Sequence, residues 1–404
     1  MQRMMDTKLV IFLFLSLLVR SYADFDPGAA FLRKTENEST TKFRRSPLHD
    51  AIIKRRLDQV QRVLVTGIDP SGRASNGATP LELAVEAAEK DPTGILMVQA
   101  LINAQADINA LSSTGQTPLI QALTLGLTDV ARILLDAGAS PGKQDKNGDS
   151  PIMIALKHHQ TPFIKEFLEQ KEGIDAVNAA GDTPLTIALQ NDEPDEAGKL
   201  ALAGVNVNVT DANGLSPLMI AAQKGFYNVV AVLVLSGANV NLNSPVTGRY
   251  PLDFAAESAQ KEVVDILLTY GAAINASDKE GKRAIYYAIG NTPKNTQVVD
   301  FLLSQAAVVD FATKAGDTPL HKAAEIGNAG IIDLFIKRGA KMEAEDAKGR
   351  TPLYIAALNG NVDAVKLLIE KGASVNGSPP PLEGAVLSGK EPVIHLLIDN
   401  GAHL

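Results

Sequence analysis

From Ser46 onward the apolar residues fall into paired short clusters that recur with a fixed period. The pattern is clearest after Thr351. Leu353, Ile355, Ala356 and Ala357 form a first cluster, Gly360 interrupts it, and Val362, Val365, Leu368 and Ile369 form a second stripe at helical spacing. Lys371-Gly372 then closes the stripe with a basic residue and a glycine, the signature of a helix C-terminus. The spacing predicts two short helices per unit, separated by a sharp turn.

Each first helix is announced by the same tripeptide, Ser/Thr-Pro-Leu or a close variant. It begins at Ser46, Thr79, Thr117, Ser150, Thr183, Ser216, Tyr250, Thr318, Thr351 and Pro380, and a degenerate copy, Arg283-Ala284-Ile285, falls where one is due. The commonest interval is 33 residues, which gives eleven units. Ser and Thr accept a hydrogen bond from an otherwise unpaired helix N–H, and Pro suits the next position because its fixed φ is helical. Ten of the 21 prolines serve this one role, so they are punctuation and not scattered loop residues. A glycine 21 residues after the start ends the second helix in eight units; Gln105, Lys171 and Ala306 take its place in the others. Between units lies a polar turn of the form D-x-x-G, as at Asp145–Gly148, Asp211–Gly214, Asp278–Gly281 and Asp346–Gly349. The alternation before it, as in Val205-Asn206-Val207-Asn208-Val209, predicts a short β-hairpin finger.

Helix, turn, helix, glycine and finger, with T-P-L at a period of 33, resemble the ankyrin repeat family over Ser46 to Leu404. His49 and His321 match the His of that family's T-P-L-H and are expected to bond within the repeat. The resemblance implies an all-α fold, an α/α solenoid with projecting fingers, and protein recognition by its concave face. On that geometry the candidate partner-binding residues are Lys157, His158, Gln223, Lys224, Glu257, Glu325, Ile326, Leu358 and Asn359, at the ends of first helices. Ile326 and Leu358 suggest a small apolar patch there, against the plainer reading of single exposed apolar residues.

Departures from the period give local expectations. Five extra residues near Ala88–Gly94 predict an enlarged loop. Two extra residues near Gly290–Asn295, with the lost Thr-Pro at Arg283, predict a weaker first helix. One extra residue lengthens the finger at Ser244–Gly248, and the finger at Gly377–Pro379 is short. The last unit is expected to act as a C-terminal cap. The acidic run Asp192, Glu193, Asp195 and Glu196 is interrupted by Pro194 and reads as a solvated loop, not a calcium site.

The segment before the repeats has a different character. Leu9–Val19 carries no charge and is followed by Arg20, Ser21, Tyr22 and Ala23, the layout of a signal peptide spanning 1–23 with cleavage after Ala23. An apolar capping helix or uncleaved anchor is the alternative. Eleven residues fall short of the roughly 20 that cross a bilayer. Residues 24–45 are polar and aperiodic and read as a mobile leader. Removing 1–23 would take a net +2 from a chain of −8. The 404 residues contain no Cys, which excludes disulfides, thiolate metal sites and cysteine nucleophiles. The acidic balance argues against nucleic acid. No catalytic motif appears, and outside the repeats only 24–45 remains of the mature chain, so no enzyme, cofactor or metal site is expected. The six His, among them the adjacent pair His158-His159, lack zinc-ligand spacing. Sequons occur at Asn37, Asn208, Asn275 and Asn376. The expectation is a monomeric protein-binding adaptor or effector, exported to a periplasm or secreted. A structural or protective protein without a discrete partner is the alternative.

Overall fold

The computed structural model describes residues 46–403. The expected signal peptide, the leader and Asn37 lie outside the described residues.

Among the described residues, twenty-two helices follow in chain order, two per unit. The first unit holds α1 (Pro47–Ile53) and α2 (Leu57–Val65), the second α3 (Pro80–Lys90) and α4 (Thr93–Asn103), the third α5 (Pro118–Thr124) and α6 (Thr128–Asp136). Then come α7 (Pro151–Lys157) and α8 (Thr161–Gln170), α9 (Pro184–Gln190) and α10 (Pro194–Leu202), and α11 (Pro217–Lys224) and α12 (Tyr227–Leu235). Next are α13 (Pro251–Glu257) and α14 (Lys261–Thr269), α15 (Ala284–Tyr287) and α16 (Pro293–Ser304), and α17 (Pro319–Ile326) and α18 (Ala329–Lys337). The last two pairs are α19 (Pro352–Asn359) with α20 (Val362–Glu370) and α21 (Pro381–Ser388) with α22 (Glu391–Asp399). Each first helix packs on the first helix of the next unit, and one continuous core runs through the stack.

The tripeptide opens the first helix as its chemistry predicts. The hydroxyls of Thr79, Thr117, Thr183, Ser216, Thr318 and Thr351 each accept the backbone N–H three residues on. Ser46 and Ser150 use their hydroxyls elsewhere, on His49 Nδ1 at 2.7 Å and on the carbonyl of Gly173 at 3.1 Å. Gln105, Lys171 and Ala306 adopt the left-handed φ of the glycine they replace.

A second left-handed position, nine residues after the start, turns the chain from first to second helix. Gly126, Gly225, Gly327, Gly360 and Gly389 hold it in five units, and Arg55, His159, Asp192 and Ala259 in four. A side chain there strains the backbone.

Three expectations are corrected. The fingers contain no β-strand among the described residues. Each is a tight turn closed on itself: in the Asp145 finger, Asp145 N–H donates to the carbonyl of Asp149 at 3.0 Å, and Gly148 N–H to that of Asp145 at 3.0 Å. Asp145 Oδ1 also accepts the N–H groups of Asn147 and Asp149 at 2.8 and 2.9 Å. Asp211, Asp278 and Asp346 repeat this. Successive fingers share single backbone bonds, such as Lys146 N–H to Gly115 C=O at 2.8 Å and Ala179 N–H to Asn147 C=O at 2.7 Å. Side-chain acceptors thus consume the donors a strand ladder would need.

The five extra residues of the Thr79 unit lengthen α3 to 11 residues and make no enlarged loop. Ala88, Glu89 and Lys90 favour helix, which stops at Asp91 because Pro92 follows. Gly94 lies so close to α3 that a Cβ would come within 2.1 Å of the Ala88 nitrogen. The acidic run, third, is not simply solvated. Asp192 pairs with Lys224 at 2.5 Å, Glu193 with His159, and Glu196 with Lys199 at 3.2 Å.

In several units the residue three after the start ties the first helix to the finger that leads into the next unit. His49 Nε2 lies 3.1 Å from the Ala78 carbonyl and His321 Nε2 2.8 Å from that of Arg350. Glu82 performs the same task, accepting Ser113 N–H at 2.9 Å and Ser113 O–H at 2.5 Å. Burial lowers the pKa of His321, so it serves as a neutral imidazole. Its contribution to stability is present above its ordinary value and is lost on acidification. Asp253, at the equivalent position, is raised to about 7 by burial, against which the Tyr250 N–H and Arg249 act. A carboxyl whose pKa rises on folding contributes at low pH and loses that contribution as pH rises through 7.

Two predictions follow from this geometry. Nothing lies within 4 Å of a Cβ built on Gly126, so Gly126→Ala should isolate backbone strain and lower stability by about 1 kcal/mol, whereas Arg55→Gly should raise it by a similar amount. Urea denaturation of both variants checks this. Asp253→Asn keeps the acceptor for Tyr250 N–H and removes a buried charge. It should stabilise the fold above pH 7 by up to about 4 kcal/mol, the gain fading as pH falls toward 4; denaturation across that pH range reads it out.

Candidate functional site

The candidate residues sit at the ends of first helices, beside the fingers, and most are committed to partners within the chain. Lys157 Nζ binds Asp149 Oδ2 at 2.7 Å. Lys224 Nζ donates to the Gln190 carbonyl at 3.1 Å and to Asp192 at 2.5 Å. Glu257 accepts from Arg249 Nη2 at 2.5 Å, and Glu325 from Lys322 at 2.8 Å. Asn359 turns back to the carbonyl of Ile355 at 2.8 Å. His158 and Gln223 are exposed. Ile326 and Leu358 are half-buried: Ile326 packs against the core, and Leu358 lies over Gly384 of the next unit, so they form no free apolar patch.

A rule not drawn from the sequence emerges. The residue just before the tripeptide reaches the one seven after its start: Asp149 to Lys157, Arg249 to Glu257, and Asp182 to Gln190 at 3.2 Å. Complementary polar residues eight apart were the available signal. These pairs knit finger to helix, and with one partner of each open to solvent each adds on the order of 1 kcal/mol.

The densest chemistry lies elsewhere, around the degenerate Arg283 unit. The Arg249 guanidinium stands between the rings of Phe254 and Tyr287, 4.2 and 4.0 Å from their centroids. Arg283 stacks on Phe311 at 4.5 Å and Lys282 on Tyr286 at 5.6 Å. The Tyr286 hydroxyl donates to Asp317 and the Tyr287 hydroxyl to Asp278, both finger carboxylates. Burial, reinforced by those carboxylates, raises both phenol pKa values, so both hydroxyls stay protonated donors. The reason for the cluster is local. Without Thr and Pro, α15 is only four residues long, and the capping pair reappears as Thr292-Pro293 at the start of α16. Cation–aromatic stacking and Tyr–Asp bonds hold what the first helix no longer holds. Tyr286, Tyr287, Arg249 and Lys282 remain half-exposed.

Three of the four sequons have structural uses. Asn208 Nδ2 donates to the Gly237 carbonyl at 3.1 Å while its Oδ1 accepts Asn239 N–H at 2.8 Å. Asn275 bridges Ala306 and Val308, and Asn376 bridges Gly401 and His403, in the same way. Asn241, which is in no sequon, does likewise to Gly271 and Ala273. The ladder accounts for these asparagines, and the nitrogen a glycan would occupy is already engaged. Among the described residues no helix is long and apolar enough to cross a membrane, and no three His, Asp or Glu cluster to hold a metal.

Comparison with known proteins places this geometry. The family model "Ankyrin repeats (3 copies)" matches in overlapping windows from 134–211 to 330–404, and "Ankyrin repeat" matches 114–146. The matched stretch begins after the first two units, although α1–α4 have the same form. Human transient receptor potential cation channel subfamily A member 1 is 32% identical over 101 residues, 25% of this chain and 9% of that protein. Human ankyrin repeat and SOCS box protein 6 is 38% identical over 73 residues, 17% of each. The chain thus spans less than a fifth of the length of these relatives. The crystal structure of the human ASB11 ankyrin repeat domain superimposes with a TM-score of 0.50 at 26% identity, covering 56% of this chain and 99% of that one. With family matches spanning well over half of its length, the chain belongs to the ankyrin repeat family.

Proposed function

We propose that the chain is a protein-binding module that engages its partner along the concave face formed by fingers and first helices. The cluster around Arg249, Tyr286 and Tyr287 is the centre of that face. The observation that carries this reading is the concentration of half-exposed Tyr and Arg in the one unit that lacks the helix-opening motif. Tyr and Arg are the residues that most often dominate binding energy, since each offers large contact area and a hydrogen-bonding tip on a side chain already held in place. The flanking residues, including Lys157, His158, Gln223, Lys224, Glu257, Glu325, Ile326, Leu358 and Asn359, then form the surrounding rim. The internal pairing of Lys157, Lys224, Glu257 and Glu325 supports this: it fixes those side chains and leaves them little to give a partner. Export, with the protein acting outside the cytosol, completes the reading and rests on the 1–23 segment alone.

Two measurements test it. In affinity capture from the compartment that receives the protein, Tyr287→Ala should weaken retention of a specific partner at least about 30-fold, as expected when a central anchor is removed. The fourfold variant Gln223→Ala/Lys224→Ala/Glu325→Ala/Leu358→Ala should weaken it less, and Leu202→Ala/Leu235→Ala, on exposed ends of second helices, should leave it unchanged. A partner indifferent to the first two variants sinks the proposed face. For export, the mature N-terminus should read Asp24; retention of Met1 rules out the signal peptide.

A further inference from the structure

Each finger leads into the residue that opens the next first helix. In seven units that residue is a Ser or Thr at most 8% exposed. In the Arg283 unit it is an arginine that stays half in solvent. The backbone there keeps the extended geometry of a cap, φ −125° and ψ 167°, so the position itself would accept Thr. The guanidinium lies over Phe311 instead, 4.5 Å from the ring centroid. Its Nε is buried without a partner among the described residues. Nearby Arg249 and Arg350 are paired, with Glu257 and Asp346, and Arg283 is not. An arginine held on a ring with its donors unengaged is a preformed fork for a carboxylate.

The surroundings favour an anion. The fingers at Asp278, Thr313 and Asp346 lie side by side, joined by Lys314 N–H to Glu280 C=O at 2.9 Å and by Ala347 N–H to Ala315 C=O at 3.3 Å. Beside Arg283 they carry Lys279, Lys282, Lys314 and Lys348, none of them in an ion pair among the described residues. Lys279 Nζ donates to the carbonyls of Pro245 and Val246, at 2.5 and 3.0 Å, and Lys282 lies over the Tyr286 ring. Neither contact neutralises the charge. The carboxylates of the same fingers are engaged within the chain: Asp278 and Asp317 accept phenol hydroxyls, and Asp346 takes Arg350. Glu280 and Glu345 alone of these carboxylates are exposed and unpaired. By contrast, the fingers at Asp145, Asn178 and Asp211 hold one cation between them, Lys146.

We propose that this row of fingers receives an acidic segment of the partner protein, with one carboxylate of that segment bonded by the Arg283 guanidinium. The assignment deepens the function proposed above and rests on the same face being the binding surface. It also gives the lost cap a use: the one unit without Ser, Thr or Tyr at its opening position places a cation there. A short segment with a few carboxylates suits the row better than a continuous polyanion does. The cations are interleaved with Glu280 and Glu345, and the whole chain carries a net −8, so nucleic acid or an anionic membrane is repelled on either side of a local attraction.

Fluorescence anisotropy tests this on the full chain. Labelled hexaglutamate should bind, more weakly as salt is raised, and hexaglutamine should not. Arg283→Thr should weaken binding at least about tenfold. That variant restores the capping residue of the other units, so its helical circular dichroism should be retained, which separates a lost contact from a lost fold. Lys314→Gln/Lys348→Gln should weaken binding about threefold. Lys366→Gln, which removes an exposed cation from α20, should leave it unchanged. Hexaglutamate that binds no tighter than hexaglutamine, or equally well to Arg283→Thr, overturns the proposal. So does tighter binding of an oligothymidylate of equal charge or of phosphatidylserine vesicles. Partner capture separates this assignment from the reading of the face. A partner lost with Tyr287→Ala and kept by Arg283→Thr leaves the face standing and overturns the acidic segment. Hexaglutamate binding that needs Arg283, beside a partner indifferent to Tyr287→Ala, supports the acidic-segment site and sinks the reading of Tyr287 as central anchor.

Discussion

No unit in this chain can bury its own apolar residues. A second helix of nine residues presents one row toward the unit before it, such as Val263 and Leu267 of α14, and another toward the unit after it, such as Val264 and Leu268. Helices of seven to nine residues are too short to persist alone in water. They exist because each row is covered by a neighbour, and everything else in the architecture keeps those rows in register. The Thr-Pro caps fix where each first helix begins, the left-handed residue nine positions on fixes where it turns, and the finger returns the chain to the start of the next unit.

The polar bonds between units serve that register more than they drive assembly. His49, Glu82 and His321 reach across one repeat to a backbone group, and the asparagines at 208, 241, 275 and 376 grip the end of the next second helix. A shift of one residue would break all of them at once. The same spacing explains why the asparagines recur.

The fold was legible in the sequence because its signals are local. A cap, a proline and a terminal glycine act within a few residues, so their chemistry can be read from the chain directly. The errors arose where two local signals compete or where partners are distant. Alternation in Val205–Val209 suggested strands, but the Asp of each finger takes the donors first. Extra residues at Ala88–Lys90 suggested a loop, yet they are good helix formers with nothing to stop them before Pro92. At the candidate site the register placed the residues at the ends of first helices, but their commitments within the chain could not be read. Lys224 with Asp192 and Tyr286 with Asp317 are 32 and 31 residues apart, and only stacking brings them together.

The Arg283 unit shows how a repeat protein can lose its motif without losing its fold. Deleting the cap and proline leaves a four-residue helix, and the flanking finger segments supply the missing constraint through Arg249, Asp317 and Phe311. A regular unit hides its first-helix contacts beneath alanines. This one replaces them with aromatic rings and guanidinium groups, which are too large to bury fully and so stay half in solvent. The irregularity and the half-exposed display of Tyr and Arg therefore have one physical cause: a unit held by stacked side chains must leave part of them in solvent.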